Sequence, residues 1–221
     1  MPGPAPYAPS ERTTPTRARH RASYDREVVH AILDEGWVCH LGYIRDGAPV
    51  VLPTLYARVG ERLYLHGSTG SRPLRETEES GGTGLPVCVT VTHVDGVVLA
   101  RSAFHHSVNY RSVVVHGTAR SVLGEEERAA ALDALVDQAV PGRSRDARPA
   151  NAKELAATSV ISVDLREVSA KIRTGGPNDE PGDLDLPHWS GVLPVATTRG
   201  TPQPAADLAP SVTVPAYLTS G

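Results

Sequence analysis

The sequence has few of the residues that are typical of secreted proteins, of membrane proteins or of proteins stabilised by a structural metal ion. Of its 221 residues only Cys39 and Cys88 are cysteines, and they form no CxxC pair. This argues against a disulfide framework and a zinc site and favours a reducing compartment. No segment approaches the roughly 18 consecutive apolar residues of a membrane span, and residues 1–10 alternate proline with small residues instead of forming an apolar signal sequence. We therefore expect a cytoplasmic protein without a membrane anchor.

The chain also lacks an excess of charge of one sign. It carries 22 basic and 25 acidic residues, for a formal net charge of -3. Binding to nucleic acid or to anionic lipid would require a local basic patch, because the whole chain has no general attraction to either. The hydrophobic share of 40% is that of an ordinary globular protein. We expect one folded domain whose partner is a small molecule, with neither nucleic acid nor membrane as a partner.

Both ends of the chain are rich in proline and poor in periodic apolar residues. Residues 1–22 combine five prolines with several arginines, and residues 196–221 contain four more prolines and no periodic pattern. Such composition is typical of segments that cannot bury enough apolar surface to fold alone. The sequence predicts a flexible arm over residues 1–22, a folded domain over 23–195 and a poorly ordered tail over 196–221.

Within the domain, two-residue periodicity dominates over helical periodicity. Helical patterns cover residues 25–35 and 125–140, and shorter helices begin after Ser71 and Asn151. An Asp-Gly pair at residues 95–96 is typical of a hairpin turn. Strand patterns cover residues 37–45, 50–58, 62–66, 87–94, 97–102, 111–122 and 160–165. Six or seven sequential antiparallel strands predict a mainly β protein, a closed or nearly closed small barrel with short flanking helices. The absence of βαβ alternation and of a GxGxxG motif excludes a Rossmann site.

The segment Leu-His-Gly-Ser-Thr-Gly-Ser-Arg-Pro-Leu-Arg, residues 65–75, has the composition of a phosphate site. A predicted strand ends at His66, and two glycines allow a ligand to approach the backbone. The predicted helix then begins with hydroxyl and arginine side chains. Helix N-terminal amides, serine hydroxyls and a bidentate guanidinium are the groups that bind phosphate. The alternative is an ordinary strand-to-helix turn whose arginines are solvated.

A second polar segment, residues 101–113, places His105, His106, Asn109 and Tyr110 in a loop that enters a strand. Loops held by rigid strands are frequent positions for binding sites. Adjacent histidines on a strand point to opposite faces, so they do not chelate one metal together, and we expect no metal site. Because the chain has no nucleophile or acid–base signature, we expect a cofactor to supply the reactivity.

Several short motifs, taken in order, resemble those of the pyridoxamine 5'-phosphate oxidase-like flavoproteins, and most closely those of the nitroimidazole-resistance branch. The resemblance covers most of residues 23–175. The Arg-Ser-Val strand followed by Gly-Thr-Ala-Arg is its most specific part. The matching segments are Pro-Thr-Leu-Tyr at 53–56, Leu-His-Gly-Ser at 65–68, Ser-Arg at 71–72, Asn-Tyr-Arg-Ser-Val at 109–113 and Gly-Thr-Ala-Arg at 117–120.

The resemblance implies a split β-barrel homodimer with FMN at the subunit interface. It implies that residues 53–56 and 66–68 lie along the ring and ribityl chain, that Ser71 and Arg72 hold the phosphate, and that Lys171 or Trp189 reaches the cofactor across the dimer. His66 matches an active-site histidine of the nitroimidazole-resistance branch and is the catalytic candidate. The full set of expected cofactor-binding residues is Pro53, Thr54, Leu55, Tyr56, His66, Gly67, Ser68, Ser71, Arg72, Arg111, Ser112, Lys171 and Trp189.

The expected function is that of an FMN-dependent oxidoreductase acting on a small organic molecule, either nitroreductase-like or in specialised metabolism. The substrate-recognising C-terminal segment of the pyridoxamine phosphate oxidases has no counterpart here, which argues against vitamin B6 as substrate. Related split barrels also hold haem or a deazaflavin, so a haem protein is the alternative, with His66, His105, His106 or His116 as axial ligand. A flavin-binding protein without catalysis, acting as a reservoir or regulator, is a further alternative.

Overall fold

A computed structural model describes residues 4–219 of the chain. Among these residues, no helix has the length and apolar character needed to cross a membrane. The strands are β1 Ala22–Ser23, β2 Val38–Arg45, β3 Ala48–Val59, β4 Arg62–Ser68, β5 Leu85–Leu99, β6 Ser107–Ser121, β7 Thr158–Asp164, β8 Glu167–Arg173 and β9 Gly191–Pro194. The α-helices are α1 Arg26–Glu35, α2 Arg72–Glu79, α3 Glu125–Ala139 and α4 Ala152–Ala156.

Six of the strands close into an antiparallel barrel. Their order around the ring is β6-β7-β4-β3-β2-β5, and pairing of β5 with β6 completes the ring. β6 is long enough to pair with β8 over Tyr110–His116 and with β7 at Arg120 and Ser121. The two sides of the barrel therefore separate along β6. β1 and β9 extend the sheet at its edges. The prediction of a mainly β, antiparallel split barrel with short flanking helices is confirmed, and β1, β8 and β9 are additional strands.

The hairpin predicted at Asp95-Gly96 is wrong. β5 is one strand of 15 residues, and a bulge between Val94 and Gly96 shifts its register against β6. β9 lies directly against Gly96, where an added Cβ would come within 2.9 Å of Val192. Glycine is therefore needed at this position for the close approach of a neighbouring strand.

The core lies inside the barrel and follows the alternation of the strands. Leu63 and Leu65 of β4 and Val89 and Val91 of β5 point inward and are almost fully buried. Tyr56 of β3 is also fully buried, and its hydroxyl donates a hydrogen bond to the backbone carbonyl of Leu33 at the end of α1. Side chains at the intervening positions face outward. Tyr64 of β4 is buried there in a second cluster with Ala131 of α3, whereas exposed positions elsewhere on this face remain available for binding.

Part of the N-terminal segment packs against the barrel. Tyr7 is only 4% exposed. Its hydroxyl donates to Glu61 at 2.7 Å and accepts from Nε2 of His30 at 2.9 Å. The composition of residues 1–22 predicts almost no apolar side chain to bury, and Tyr7 is an exception within this segment. Residues 1–3 and 220–221, at the outer ends of the predicted arm and tail, lie outside the described residues.

Replacing Tyr7 by phenylalanine removes both hydrogen bonds and leaves Glu61 and His30 without this partner. We expect Tyr7→Phe to lower the free energy of unfolding by about 1–3 kcal/mol, measured by urea denaturation. Tyr217→Phe, whose hydroxyl bonds the exposed carboxylate of Asp146, is the control and should change stability by less than about 0.5 kcal/mol. Equal stability of Tyr7→Phe and the unmodified protein would contradict a docking role for Tyr7.

Candidate functional site

A continuous band of side chains crosses the outer face of the barrel, and we call it the outer row. Lys171 pairs with Ser112, and Ser112 pairs with Thr92. Val38 lies two residues before His40, which pairs with Thr90, so Val38 comes next to Thr92. Val38 in turn pairs with Leu55. The next residue of β3, Tyr56, pairs with Leu65 of the antiparallel strand β4, and Leu55 therefore lies beside His66. The outer row consists of Lys171, Ser112, Thr92, Val38, Leu55 and His66.

The composition of the outer row suits a flat ring with polar edges. Its centre is apolar, with Val38 and Leu55 each about 40% exposed. Its far end is polar, where the hydroxyl of Ser112 donates to the carbonyl of Lys171 at 3.2 Å. Pro53 lies one step along β3 on the same face, opposite His40. Binding surfaces for planar cofactors combine apolar contact area with a few placed polar groups.

Next to His66, β4 leads directly into the turn predicted to bind phosphate. The Oγ of Ser68 accepts from the amide of Gly70 at 3.1 Å, and the amide of Ser71 donates to the carbonyl of Ser68 at 2.8 Å. Gly67 allows the helix to approach, since an added Cβ would meet the Cβ of Ser71 at 3.3 Å. α2 then begins at Arg72, with Ser71 as its N-cap.

The start of α2 keeps several hydrogen-bonding groups available for an anion. The side chain of Ser71 makes no capping hydrogen bond. The first-turn amides of Arg72 and Leu74 have no carbonyl within the helix to bond. The guanidinium of Arg72 is exposed and takes part in no ion pair among residues 4–219. The chemistry of this donor set fits a phosphate group, as the sequence predicts.

His66 connects the turn to the outer row. Its side chain is half-buried, and Nδ1 is buried without a hydrogen-bond partner within the described part of the chain. Burial lowers the pKa of the imidazole from its usual value of 6.5. The ring is therefore neutral near pH 7 and can act as a donor or an acceptor toward a bound molecule.

Three of the predicted cofactor residues have side chains directed elsewhere. Tyr56 lies in the core and Thr54, which pairs with Cys39, faces the inner side of β3. Only their backbones can border the outer face. Arg111 binds both Glu35 and Asp95 and lowers the pKa of each carboxyl group through these hydrogen bonds. Its guanidinium bonds both carboxylates through Nε, Nη1 and Nη2, and the contact of Arg111 with the cofactor stays a prediction.

Beside this ion-pair cluster, a cleft of about 700 Å³ opens at the end of the barrel. Val38 and Thr92 of the outer row form part of its wall, and residues 195–199 close one side. The guanidinium of Arg199 lies 4.8 Å from the ring centre of Trp37, at the position of a cation–π contact. The cleft extends the outer row toward the C-terminal segment.

Val38, His40 and Thr92 were not among the predicted site residues. Alternation along residues 37–45 and 87–94 indicates which of their side chains share a face. Alternation alone does not show which strands are neighbours or in which register they pair, so these three residues could not be placed beside the predicted site. Trp189 lies in the segment before β9 and is 68% exposed.

The sequence model described as pyridoxamine 5'-phosphate oxidase matches residues 25–172. A search of the curated proteins found no match. Among solved structures, the flavocytochrome Anf3 from Azotobacter vinelandii is 39% identical, with a TM-score of 0.88 over 97% of this chain and 98% of that chain. A FAD- and haem-binding protein from Mycobacterium smegmatis is 37% identical, with a TM-score of 0.83 over 90% of this chain and 96% of that chain.

A putative 5-nitroimidazole antibiotic resistance protein from Bacteroides thetaiotaomicron has the same fold at lower similarity. It is 19% identical, with a TM-score of 0.56 over 68% of this chain and 86% of that chain. At this level of identity the match supports the shared fold alone.

The buried position of His66 predicts a pH dependence of stability. Because its pKa is lowered in the folded state, the unfolded chain binds this proton more readily. The stabilising contribution is present above the unfolded pKa of about 6.5 and is lost as the pH falls below that value and through the lower pKa of the folded state. We expect an NMR titration midpoint for His66 below 6.5, and a shallower fall in unfolding free energy between pH 7 and 5 in His66→Asn. His20→Asn supplies the comparison at an exposed histidine. A midpoint at or above 6.5 would contradict this environment.

Proposed function

The chain belongs to the pyridoxamine 5'-phosphate oxidase family, and from this premise we propose that it is a redox protein that binds a flavin and a haem. The two relatives at 39% and 37% identity are a flavocytochrome and a FAD- and haem-binding protein. Both matches extend over at least 90% of this chain. These two relatives favour a chain that binds haem in addition to a flavin over a chain that binds haem in place of a flavin.

The observation that carries the flavin proposal is the direct connection between the outer row and the α2 turn. The apolar centre of the row offers a surface for the isoalloxazine ring, and the turn at Ser71 and Arg72 offers donors for the phosphate. β4 joins the two, with His66 and Ser68 on the same outward side. A bound flavin would supply two-electron chemistry and a haem one-electron transfer.

The phosphate turn suits FMN and FAD equally, because both carry a phosphate on the ribityl chain. The motif resemblance favours FMN, whereas the named cofactor of the Mycobacterium smegmatis relative is FAD. Chromatography of the flavin released by denaturing the purified protein distinguishes the two.

We further propose that a small organic molecule exchanges electrons with the flavin next to His66. The neutral imidazole would hydrogen-bond this molecule without adding a positive charge.

Cys39 and Cys88 are both free thiols, and burial raises the pKa of the Cys39 thiol to about 12. Unreactive, reduced cysteines suit the cytoplasmic location that the sequence predicts.

A flavin on the outer row of one chain would leave one side of its ring in water. Val51 and Ile44 extend the outer face and are each more than 60% exposed. Exposed apolar side chains of this kind are typical of association surfaces. We propose that a second copy of the chain covers this face and completes the flavin site.

The flavin proposal predicts that substitutions at the start of α2 weaken binding. The double variant Ser71→Ala, Arg72→Ala should raise the flavin dissociation constant roughly ten- to a hundredfold, because it removes a charge-assisted phosphate contact. Arg75→Ala is the matched control, since Arg75 lies one turn later and pairs with Glu79. Titration of each apoprotein variant with flavin, followed by fluorescence, measures the two dissociation constants. Unchanged affinity in the double variant would overturn the phosphate assignment.

The dimer proposal predicts that a charge on the outer face separates the subunits. Val51→Glu should shift the protein from dimer to monomer in sedimentation velocity and release most of the flavin, because it places a carboxylate in an apolar interface. Leu123→Glu alters an apolar side chain in the loop before α3 that is more exposed than Val51, and it should leave the dimer intact. A flavin-loaded monomer in the unmodified protein would refute the proposal.

The haem part is tested by absorption spectroscopy of protein expressed with a haem precursor. We expect flavin bands together with a Soret band, and about one haem and one flavin per chain. Flavin bands alone in protein given excess haem would refute the haem part and leave the flavin part standing.

A further inference from the structure

The cleft at the end of the barrel is large enough for a small molecule, and the flavin site proposed above uses only its edge. Its volume of about 700 Å³ lies in the range that is typical of ligand pockets. Val38 and Thr92 belong to the outer row. Most of the wall comes from the end of α1, the bulged part of β5 and residues 195–199. The cleft is therefore a compartment of its own beside the outer row.

The fixed wall of the cleft carries more negative than positive charge. Arg111 donates to the carboxylates of Glu35 and Asp95, at 2.8 Å in each case. These hydrogen bonds hold the pKa of both carboxyl groups below the usual value, so both are ionised near pH 7. With His93 as a neutral imidazole, two carboxylates face one guanidinium, and the side chain of Glu35 is 52% exposed. A cleft with such an excess favours a cation.

A cation of the chain itself already lies in this cleft. The guanidinium of Arg199 is 4.8 Å from the ring centre of Trp37, and the face of an indole ring attracts positive charge. Nη2 of Arg199 donates to the carbonyl of Ala139 at 2.6 Å. Ala139 is the last residue of α3, and the carbonyls at a helix C-terminus carry partial negative charge. The indole face, the helix end and the carboxylates thus all suit a planar cation.

The segment that carries Arg199 is held by few contacts. Residues 196–200 are exposed. Within residues 4–219, the bond from Arg199 to Ala139 is the hydrogen bond that ties residues 196–204 to the barrel and its helices. Because an exposed cation–π contact is also weak, an external cation can displace the guanidinium without disturbing the barrel.

The opposite side of the cleft is fixed before any ligand binds. Gln138 of α3 donates to the carbonyl of Gly36 at 2.6 Å. Gly36 is packed so closely that an added Cβ would lie 2.9 Å from the hydroxyl oxygen of Tyr56. Trp37 follows directly, so its backbone is held by the same packing. A surface fixed in this way loses little conformational freedom when a ligand binds.

We propose that the cleft is a binding site for a planar aromatic cation, whose ring takes the place of the Arg199 guanidinium on Trp37. The carboxylates of Glu35 and Asp95 match the charge of the ring. A hydrogen-bond donor on the ring replaces the bond of Arg199 to the carbonyl of Ala139. Binding thereby releases the segment that closes one side of the cleft. The site needs neither flavin nor haem, so it is independent of the proposed function.

The probe is 1-methylnicotinamide, a flat cation with an amide donor, and nicotinamide is its neutral counterpart. The chain has two tryptophans, Trp37 and Trp189, so Trp189→Phe identifies the indole N–H resonance of Trp37 in NMR spectra of the full chain. We expect 1-methylnicotinamide to shift this resonance to saturation. Binding of nicotinamide should be about fivefold weaker or more, because the neutral ring lacks the cation–π attraction.

Variants of Arg199 and Trp37 test the exchange by calorimetric titration. Arg199→Ala removes the competing cation and should raise the affinity for 1-methylnicotinamide about two- to fivefold. A merely structural role of Arg199 would not produce this increase. Arg166→Ala removes the same charge from the turn between β7 and β8, outside the cleft, and should leave the affinity unchanged. Trp37→Phe should keep weaker binding, whereas Trp37→Leu, which has no ring face, should abolish it.

Four results would overturn the inference. A shift of the Trp37 resonance that never saturates would show that the probe has no site. Equal binding of 1-methylnicotinamide and nicotinamide would show that charge plays no part. An unchanged or lower affinity in Arg199→Ala would show that the ring does not take the place of the guanidinium. Loss of probe binding after loading with flavin would assign the cleft to the flavin.

Discussion

The pairing of β5 with β6 is the constraint on which the rest of the structure depends. These two long strands close the barrel, and their register places Thr92 opposite Ser112 on the outer face. The same register turns Val91 and Val113 into the core, where both are almost fully buried. A shift of one residue would exchange the two faces and bury the polar side chains. The position of the outer row is therefore as strongly determined as the hydrophobic core.

The site combines two structural elements with different physical roles. The sheet provides a rigid surface whose side chains are held by cross-strand packing. The turn before α2 provides amides, hydroxyls and a guanidinium, and Gly67 lets the helix approach the strand closely enough to present them. Neither element has an unusual composition. The site arises because β4 ends where the helix begins.

Local patterns predicted most of the barrel and the strand-to-helix turn after His66, but they did not predict contacts between residues that are far apart in the sequence. Alternation indicated the six barrel strands, and the residues after His66 already suggested an anion site. The Asp-Gly pair at residues 95–96 gave a misleading signal, because turn chemistry is local, whereas Gly96 lies within a continuous strand and pairs with β9, nearly 100 residues away. Tyr7 was missed for the same reason, since its partners His30 and Glu61 are far along the chain. The occupied state of Arg111 likewise depends on Glu35 and Asp95, which no spacing rule connects.

The placement of β7 and β8 has a consequence for how the chain folds. β7 fills the gap between β4 and β6, and its pairing of Asp164 with Arg62 spans about 100 residues. Until β7 has been synthesised, β4 and β6 both have unpaired edges, which are prone to pair with other chains. Closure through such distant contacts is also slow, since much chain entropy is lost before the pairing is gained. During synthesis the nascent chain exposes these edges until β7 and β8, which end at Arg173, have left the ribosome.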